Sequence, residues 1–165
     1  MSYVDKLRIL PYNVRNILRR LEGTQRKIVK CKWSLVFNNT CLSENILPNY
    51  TNIRYHDPAL AETHNALNYK KSLVKREVEL KQINLSELES EEKVIIEEFQ
   101  KVSFGESRVT KPEILHLLQE LIDNANHIQK TKSLKKLNDL YHGQICVKDE
   151  INCLCVHELF YDINY

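Results

Sequence analysis

Cysteine and histidine gather near the end of the chain, where their side chains could ligate a soft metal. His142, Cys146, Cys153, Cys155 and His157 are five candidate ligands within sixteen residues. Zinc takes four such ligands at tetrahedral geometry. No Cys-x-x-Cys pair is present, however, and Cys153 and Cys155 would share one side of a strand but not one face of a helix. The simpler interpretation is small buried thiols and surface histidines, so we predict no metal and no other cofactor.

A second arrangement that could do chemistry is a thiol with a base. Cys41 could be paired with His56 or His64, but nucleophilic catalysis needs a thiolate and a base held within hydrogen-bond reach. Cys41 lies on the apolar side of a predicted helix, which favours a core thiol. With only three glycines, the chain also has no phosphate-cradling loop. We therefore expect a protein that is not an enzyme.

The third group is a run of cations that could contact the phosphates of a nucleic acid. Its members are Arg15, Arg19, Arg20, Arg26, Lys27, Lys30 and Lys32. The aromatic residues that follow, Trp33 and Tyr50 above all, could stack on unpaired bases. The alternative is that the cations form a solvated helix face and the aromatic rings belong to the core.

Charge is distributed unevenly along the chain, and the first half is basic. Residues 1–81 carry 15 Lys and Arg against 7 Asp and Glu, whereas residues 82–165 carry 9 against 15. The net charge of +2 therefore hides a basic half and an acidic half. Such asymmetry is typical of proteins that meet nucleic acid, a membrane surface or an acidic partner.

Apolar spacing predicts the elements that carry these residues. Helical periodicity from Asn13 to about Leu42 indicates an amphipathic basic helix, and two prolines place a loop over residues 45–58. From Ala59 to Glu98 breakers are almost absent, and Leu60, Leu67, Val74, Leu88 and Ile95 fall at sevenfold spacing. This segment predicts a long helix or a coiled-coil arm through which two copies could pair antiparallel.

The C-terminal third begins with the clearest local signal. Thr110-Lys111-Pro112-Glu113 offers an N-cap, a first-turn proline and a capping-box glutamate after a break at Gly105. A helix with a buried stripe should follow, and a second short helix around Leu134, Leu137 and Leu140 should end at Gly143, so that the two form a helical hairpin. The residues of the expected stripe are Leu115, Leu118, Leu121, Ile122, Ala125 and Ile128. Residues 144–165 fit either a small β-hairpin or one helical face.

Composition sets the class of the whole chain. The 165 residues are 42% hydrophobic and 28% charged, with few glycines and prolines, which predicts a mostly all-α folded protein. No apolar run is long enough to span a bilayer and the N-terminus lacks a signal-peptide pattern, so we expect no membrane partner and an intracellular location, cytoplasmic or nuclear. An odd number of irregularly spaced cysteines favours thiols over disulfides.

One segment resembles a known family. Residues 30–41, Lys-Cys-Lys-Trp-Ser-Leu-Val-Phe-Asn-Asn-Thr-Cys, followed by Ile46-Leu47-Pro48-Asn49-Tyr50, look like the region ahead of the reverse transcriptase in Penelope-like retroelements. In that family a basic helix with a Phe-x-x-x-Cys step leads into an Ile-x-Pro loop. The resemblance implies that residues 12–58 contact RNA or DNA and that the chain is a detached relative or a viral or mobile-element accessory protein. The chain departs from the family in having no aspartate-containing polymerase core.

Together these patterns predict three consecutive segments and one function. The segments are a basic helical module with its loop (1–58), a long helix or coiled-coil arm (59–102) and a C-terminal helical subdomain (109–165). We expect a non-enzymatic protein that binds RNA or DNA through the basic helix. A second group of cations could extend this binding surface, namely Lys70, Lys71, Lys75 and Arg76. The alternative is an assembly protein that oligomerises through its long helix, driven by Leu60, Leu67 and Val74.

Overall fold

The computed structural model describes residues 2–44, 46 and 64–144 and contains four helices in that part of the chain. They are α1 (Tyr3–Arg8), α2 (Tyr12–Ser43), α3 (His64–Lys101) and α4 (Lys111–Gln144). No strand occurs among the described residues. The prediction of a mostly all-α protein is therefore confirmed, while the alternatives for residues 145–165, including the small β-hairpin, lie outside the described residues.

Local sequence signals set the starts of two of the helices. Ser2 caps α1, since its Oγ accepts a hydrogen bond from the Asp5 N–H and the Asp5 carboxylate accepts one from the Ser2 N–H. At α4 the predicted capping box is present, with the Glu113 N–H donating to Thr110 Oγ1 at 3.3 Å. These contacts satisfy N–H groups that have no partner inside a helix.

The connection between α3 and α4 turns at Gly105, whose φ of +65° is in the left-handed region. Glycine adopts this conformation without the clash that a Cβ brings. Lys111 closes the turn, because its Nζ donates to the Gln100 carbonyl at 2.8 Å and lies 5.8 Å from the centres of both the Phe99 and Phe104 rings. The break predicted around Gly105 is thus confirmed.

The predicted helical hairpin in the C-terminal third is wrong, because α4 is a single helix from Lys111 to Gln144. The apolar pattern fades in its middle because the buried side of the helix carries Ser133, which is only 9% exposed. The expected stripe is also displaced by one position at its start. Ile114 is fully buried, whereas Leu115 and Ile128 are exposed.

The described helices contribute to two compact units, each built around its own core. The first unit comprises Met1–Lys32 and Ile83–Lys130. Within it α2 and α3 run antiparallel, since Arg20 pairs with Glu98 whereas Ile28, further along α2, packs on Leu88, earlier in α3. Its most deeply buried side chains are Val14, Leu18, Leu21, Ile95, Phe99, Ile114 and Leu118.

The second unit comprises Trp33–Gln82 and Thr131–Tyr165. Phe37 and Cys41 of α2 pack there against Leu137 of α4, with Leu140 alongside. The Lys136 ammonium lies 4.5 Å from the centre of the Phe37 ring, a cation–π contact over the edge of this cluster. The division of the chain into three consecutive segments stays a prediction.

The segment predicted as a long helix or coiled-coil arm is the long helix α3, and its sevenfold apolar series is not an exposed seam among the described residues. Three members of its sevenfold apolar series are described, and all three are buried within the chain: Val74, Leu88 and Ile95. Leu88 packs against Ile28 and Cys31 of α2. This face of α3 therefore belongs to intrachain cores, while Leu60 and the side chain of Leu67 lie outside the described structure.

Candidate nucleic-acid interface

The basic segment lies on α2 with its cations on the outer side of the helix. Val14, Leu18, Leu21 and Ile28 are buried on the inner side. Five of the predicted cations are solvent-exposed, namely Arg19, Arg20, Arg26, Lys27 and Lys30. A helix with one apolar face must turn its remaining positions to solvent, and here those positions are predominantly basic.

The five exposed cations fall into two rows along α2. At about 100° per residue, Arg19, Arg26 and Lys30 lie within roughly 40° of one another, and Arg20 and Lys27 lie along a second row. The first row extends over about 16 Å at a rise of ~1.5 Å per residue. Glu22 is the one acidic residue in α2, so the charge that α2 itself contributes to this surface is predominantly positive.

Two of the five cations already have acidic partners. The Arg20 guanidinium contacts the Glu98 carboxylate of α3 at 2.8 Å and 3.5 Å, and Arg26 Nε contacts Glu22 at 3.1 Å. Within the described part of the chain, Arg19, Lys27 and Lys30 form no ion pair. Exposed ion pairs contribute only about 0–1 kcal/mol, so Arg20 and Arg26 remain open to exchange their carboxylates for a stronger anion.

The other two predicted cations are placed less favourably for phosphate contact. Arg15 and Lys32 are both half-buried. The Arg15 guanidinium lies over the Tyr12 ring, 5.7 Å from its centre, and its buried Nε has no hydrogen-bond partner among the described residues. The candidate interface therefore contains five exposed cations rather than the seven predicted from the sequence.

The stacking role predicted for Trp33 is wrong, because its side chain is fully buried. An indole with no solvent contact cannot receive a base. Tyr50 lies outside the described residues. Tyr12 was not among the predicted stacking residues, yet it is 70% exposed and its ring lies beside Arg15. Its position directly after Pro11, on the first turn of α2, is the sequence signal for an exposed aromatic residue there.

The thiol chemistry considered for Cys41 is not supported by its surroundings. Cys41 is fully buried, and this burial raises the pKa of its thiol to about 11, although the nearby Lys136 acts in the opposite direction. At neutral pH the group is a thiol, which is a poor nucleophile. His56 and the side chain of His64 lie outside the described structure.

Metal-ligating groups do not converge anywhere in the described ranges. No cluster of three or more His, Cys, Asp or Glu side chains that could hold a metal ion occurs among those residues. The predicted candidates from His142 to His157 lie outside the described side chains. The two described cysteines, Cys31 and Cys41, are buried thiols.

Comparison with known proteins adds no relative. No protein-family model, curated protein or solved structure matches this chain. The resemblance of residues 30–50 to Penelope-like retroelements therefore stays a prediction. None of the described helices is both long and apolar enough to cross a membrane.

Proposed function

We propose that this protein binds RNA or DNA through the exposed cations of α2 and performs no chemistry on it. The observation that carries the proposal is the concentration of Arg19, Arg20, Arg26, Lys27 and Lys30 on the outer side of one helix. Cations that merely solubilise a helix are normally interspersed with acids, whereas α2 offers a single glutamate.

The length of the surface suits a phosphate backbone. Over the ~16 Å from Arg19 to Lys30, a duplex presents roughly ten phosphate charges, since its axis carries one charge per ~1.7 Å. The phosphates on the side of the duplex that faces α2 are therefore spaced closely enough for its long cationic side chains to reach several of them. Neutralising phosphates releases condensed counterions, which is the main source of affinity in such contacts.

The same surface predicts weak sequence preference. Contacts to phosphates carry no sequence information, whereas contacts to base edges in the grooves do. The exposed cations of α2 are proposed to meet phosphates, and the exposed ring of Tyr12 on the same helix can stack on any unpaired base. We therefore expect binding to many sequences, with single strands gaining an additional stacking contact.

The test is binding of the full chain to labelled single-stranded and duplex RNA and DNA across a salt series. If all five exposed cations meet phosphates on duplex DNA, the slope of log K against log salt should be about −4.5, and three contacts would give about −2.7. Salt-independent binding, or no binding to any of the four ligands, would overturn the proposal.

A charge-reversal variant with a matched control locates the surface. Arg19→Glu, Lys27→Glu and Lys30→Glu together should abolish measurable binding. Lys101→Glu, Arg108→Glu and Lys130→Glu change the net charge equally at exposed positions outside α2, and that variant should retain most of the affinity. Equal losses in both variants would show that net charge, rather than the α2 surface, governs binding.

A further inference from the structure

A second apolar stripe on α3 remains exposed to solvent, in contrast to the buried series that includes Val74. Four apolar residues of this stripe are between 50% and 58% exposed. They are Tyr69, Leu80, Ile83 and Val94. Large apolar side chains are common on protein surfaces one at a time, but their alignment along one helix is typical of a docking face.

The spacing of this stripe is that of a coiled-coil seam. Adding Leu73, Arg76, Glu87 and Ser90 at alternating intervals of four and three joins the four exposed apolar residues into one row of eight positions, in which Leu73 is half-buried and the other three additions are polar. Alternating steps of four and three give the 3.5-residue repeat that keeps one face toward a partner helix. We call these eight positions the outer stripe; they lie roughly 140° around α3 from the buried series.

We propose that the outer stripe of α3 pairs antiparallel with the outer stripe of a second copy of this chain. When two copies of the stripe run in opposite directions, exposed apolar residues meet exposed apolar residues and the basic residue meets the acidic one. With the twofold axis between Leu80 and Ile83, Leu80 lies opposite Ile83 of the second copy and Tyr69 lies opposite Val94. Every large exposed apolar residue of the stripe thus meets another, which is the arrangement that an isologous interface requires.

The two charged residues of the outer stripe fix the direction of this pairing. In the antiparallel register Arg76 lies opposite Glu87 of the second copy, and symmetry produces that pair twice. A parallel, in-register pair would instead place Arg76 against Arg76 and Glu87 against Glu87. Like charges at such positions oppose assembly and opposite charges select it, so the chain favours the antiparallel dimer.

This dimer differs from the pairing predicted from the sequence alone. That prediction relied on Leu60, Leu67 and Val74, and Val74 is buried within its own chain. The outer stripe uses the opposite side of the same helix. It also involves none of the exposed cations of α2, so it does not depend on nucleic-acid binding.

The experiment is sedimentation equilibrium of the full chain, freed of nucleic acid, over a wide range of concentration. The expected result is a reversible species of twice the 19.5 kDa chain mass. Ile83→Glu introduces two charges at the centre of the seam and should weaken dimerisation at least about tenfold. Gln82→Glu adds the same charge at the adjacent exposed residue, off the stripe, and should leave the dissociation constant unchanged.

A charge swap tests the register. Arg76→Glu should weaken the dimer because it faces Glu87, and adding Glu87→Arg in the same chain should restore it by recreating the pair in reverse. Far-UV circular dichroism checks that each variant keeps its helices. A monomeric wild type, an Ile83→Glu variant that dimerises like the wild type, or a swap that fails to restore the dimer would each overturn the antiparallel pairing.

Discussion

Burial, more than residue type, decides what the aromatic and thiol groups near the basic segment can do. Trp33 and Cys41 are fully buried and Phe37 nearly so, while Tyr12 is open to solvent. All four are close in sequence to cations that could meet a nucleic acid. Only Tyr12 can take part directly, and the other three hold α2 in place through packing.

Replacing Trp33 separates a packing role from a binding role. Trp33→Ala should lower the free energy of unfolding by about 3 to 5 kcal/mol, because it deletes a large buried side chain and leaves a cavity. Urea denaturation followed by circular dichroism measures this loss. Should the variant fail to fold, Trp33→Phe keeps most of the volume and should show a smaller loss of the same sign.

Tyr12→Ala is the matched control, since this ring is 70% exposed. Exposed substitutions usually change stability by no more than about 0.5 kcal/mol. A Trp33→Ala variant as stable as the Tyr12→Ala variant would contradict the buried position of the indole.

At the scale of the helices, the signals that could be read from sequence are local ones. The Thr110 cap of α4 and the turn at Gly105 depend on residues within a few positions of one another, and both are present as predicted. The bounds of α2 are also local in origin, since the apolar periodicity predicts a helix from Asn13 to about Leu42 and the helix observed is Tyr12–Ser43. Such features need no knowledge of which elements pack together.

Features that depend on packing were harder to predict. Ser133 is buried on α4, and a polar residue on the inner side made one helix look like two. The direction of the Trp33 side chain depends on which side of α2 meets the core, and a run of mixed polar and apolar residues leaves that undecided. The outer stripe of α3 and the buried series on the same helix both have coiled-coil spacing. Only the packing of the folded chain shows which of the two is exposed.

Two glycines in different elements should respond oppositely to the same substitution. Gly23 lies inside α2, and a Cβ there meets no atom within 4 Å. Gly23→Ala should therefore raise the free energy of unfolding by about 0.5 to 1 kcal/mol, since glycine is a poor helix former. Gly105→Ala should lower it by about 1 to 2 kcal/mol, because the φ of +65° places Cβ against the backbone.

Denaturant unfolding of the two variants beside the wild type measures both effects under one set of conditions. Each substitution adds only a methyl group, so each serves as the other's control for side-chain size. Changes of the same sign would show that one of the two backbone positions has been misassigned.

At the scale of the whole molecule, basic and acidic residues are concentrated in different segments of the chain. The clearest case is the first unit, in which one segment is basic and the other is acidic. Residues 1–32 contain nine Lys and Arg against two Asp and Glu, whereas residues 83–130 contain five against ten. The potential near a surface follows the local charge rather than the total. A protein whose net charge is close to zero can therefore still attract a polyanion to one side.

This sorting predicts how the whole protein behaves on a cation exchanger above its isoelectric point of about 8.2. At a pH of about 9 the net charge is negative, yet Lys and Arg remain protonated, so the α2 surface should still retain the protein at low salt. Reversing Arg19, Lys27 and Lys30 to glutamate should eliminate retention. The control variant at Lys101, Arg108 and Lys130 has the same net charge and should elute later than the α2 variant; coincident elution would mean that total charge controls the interaction.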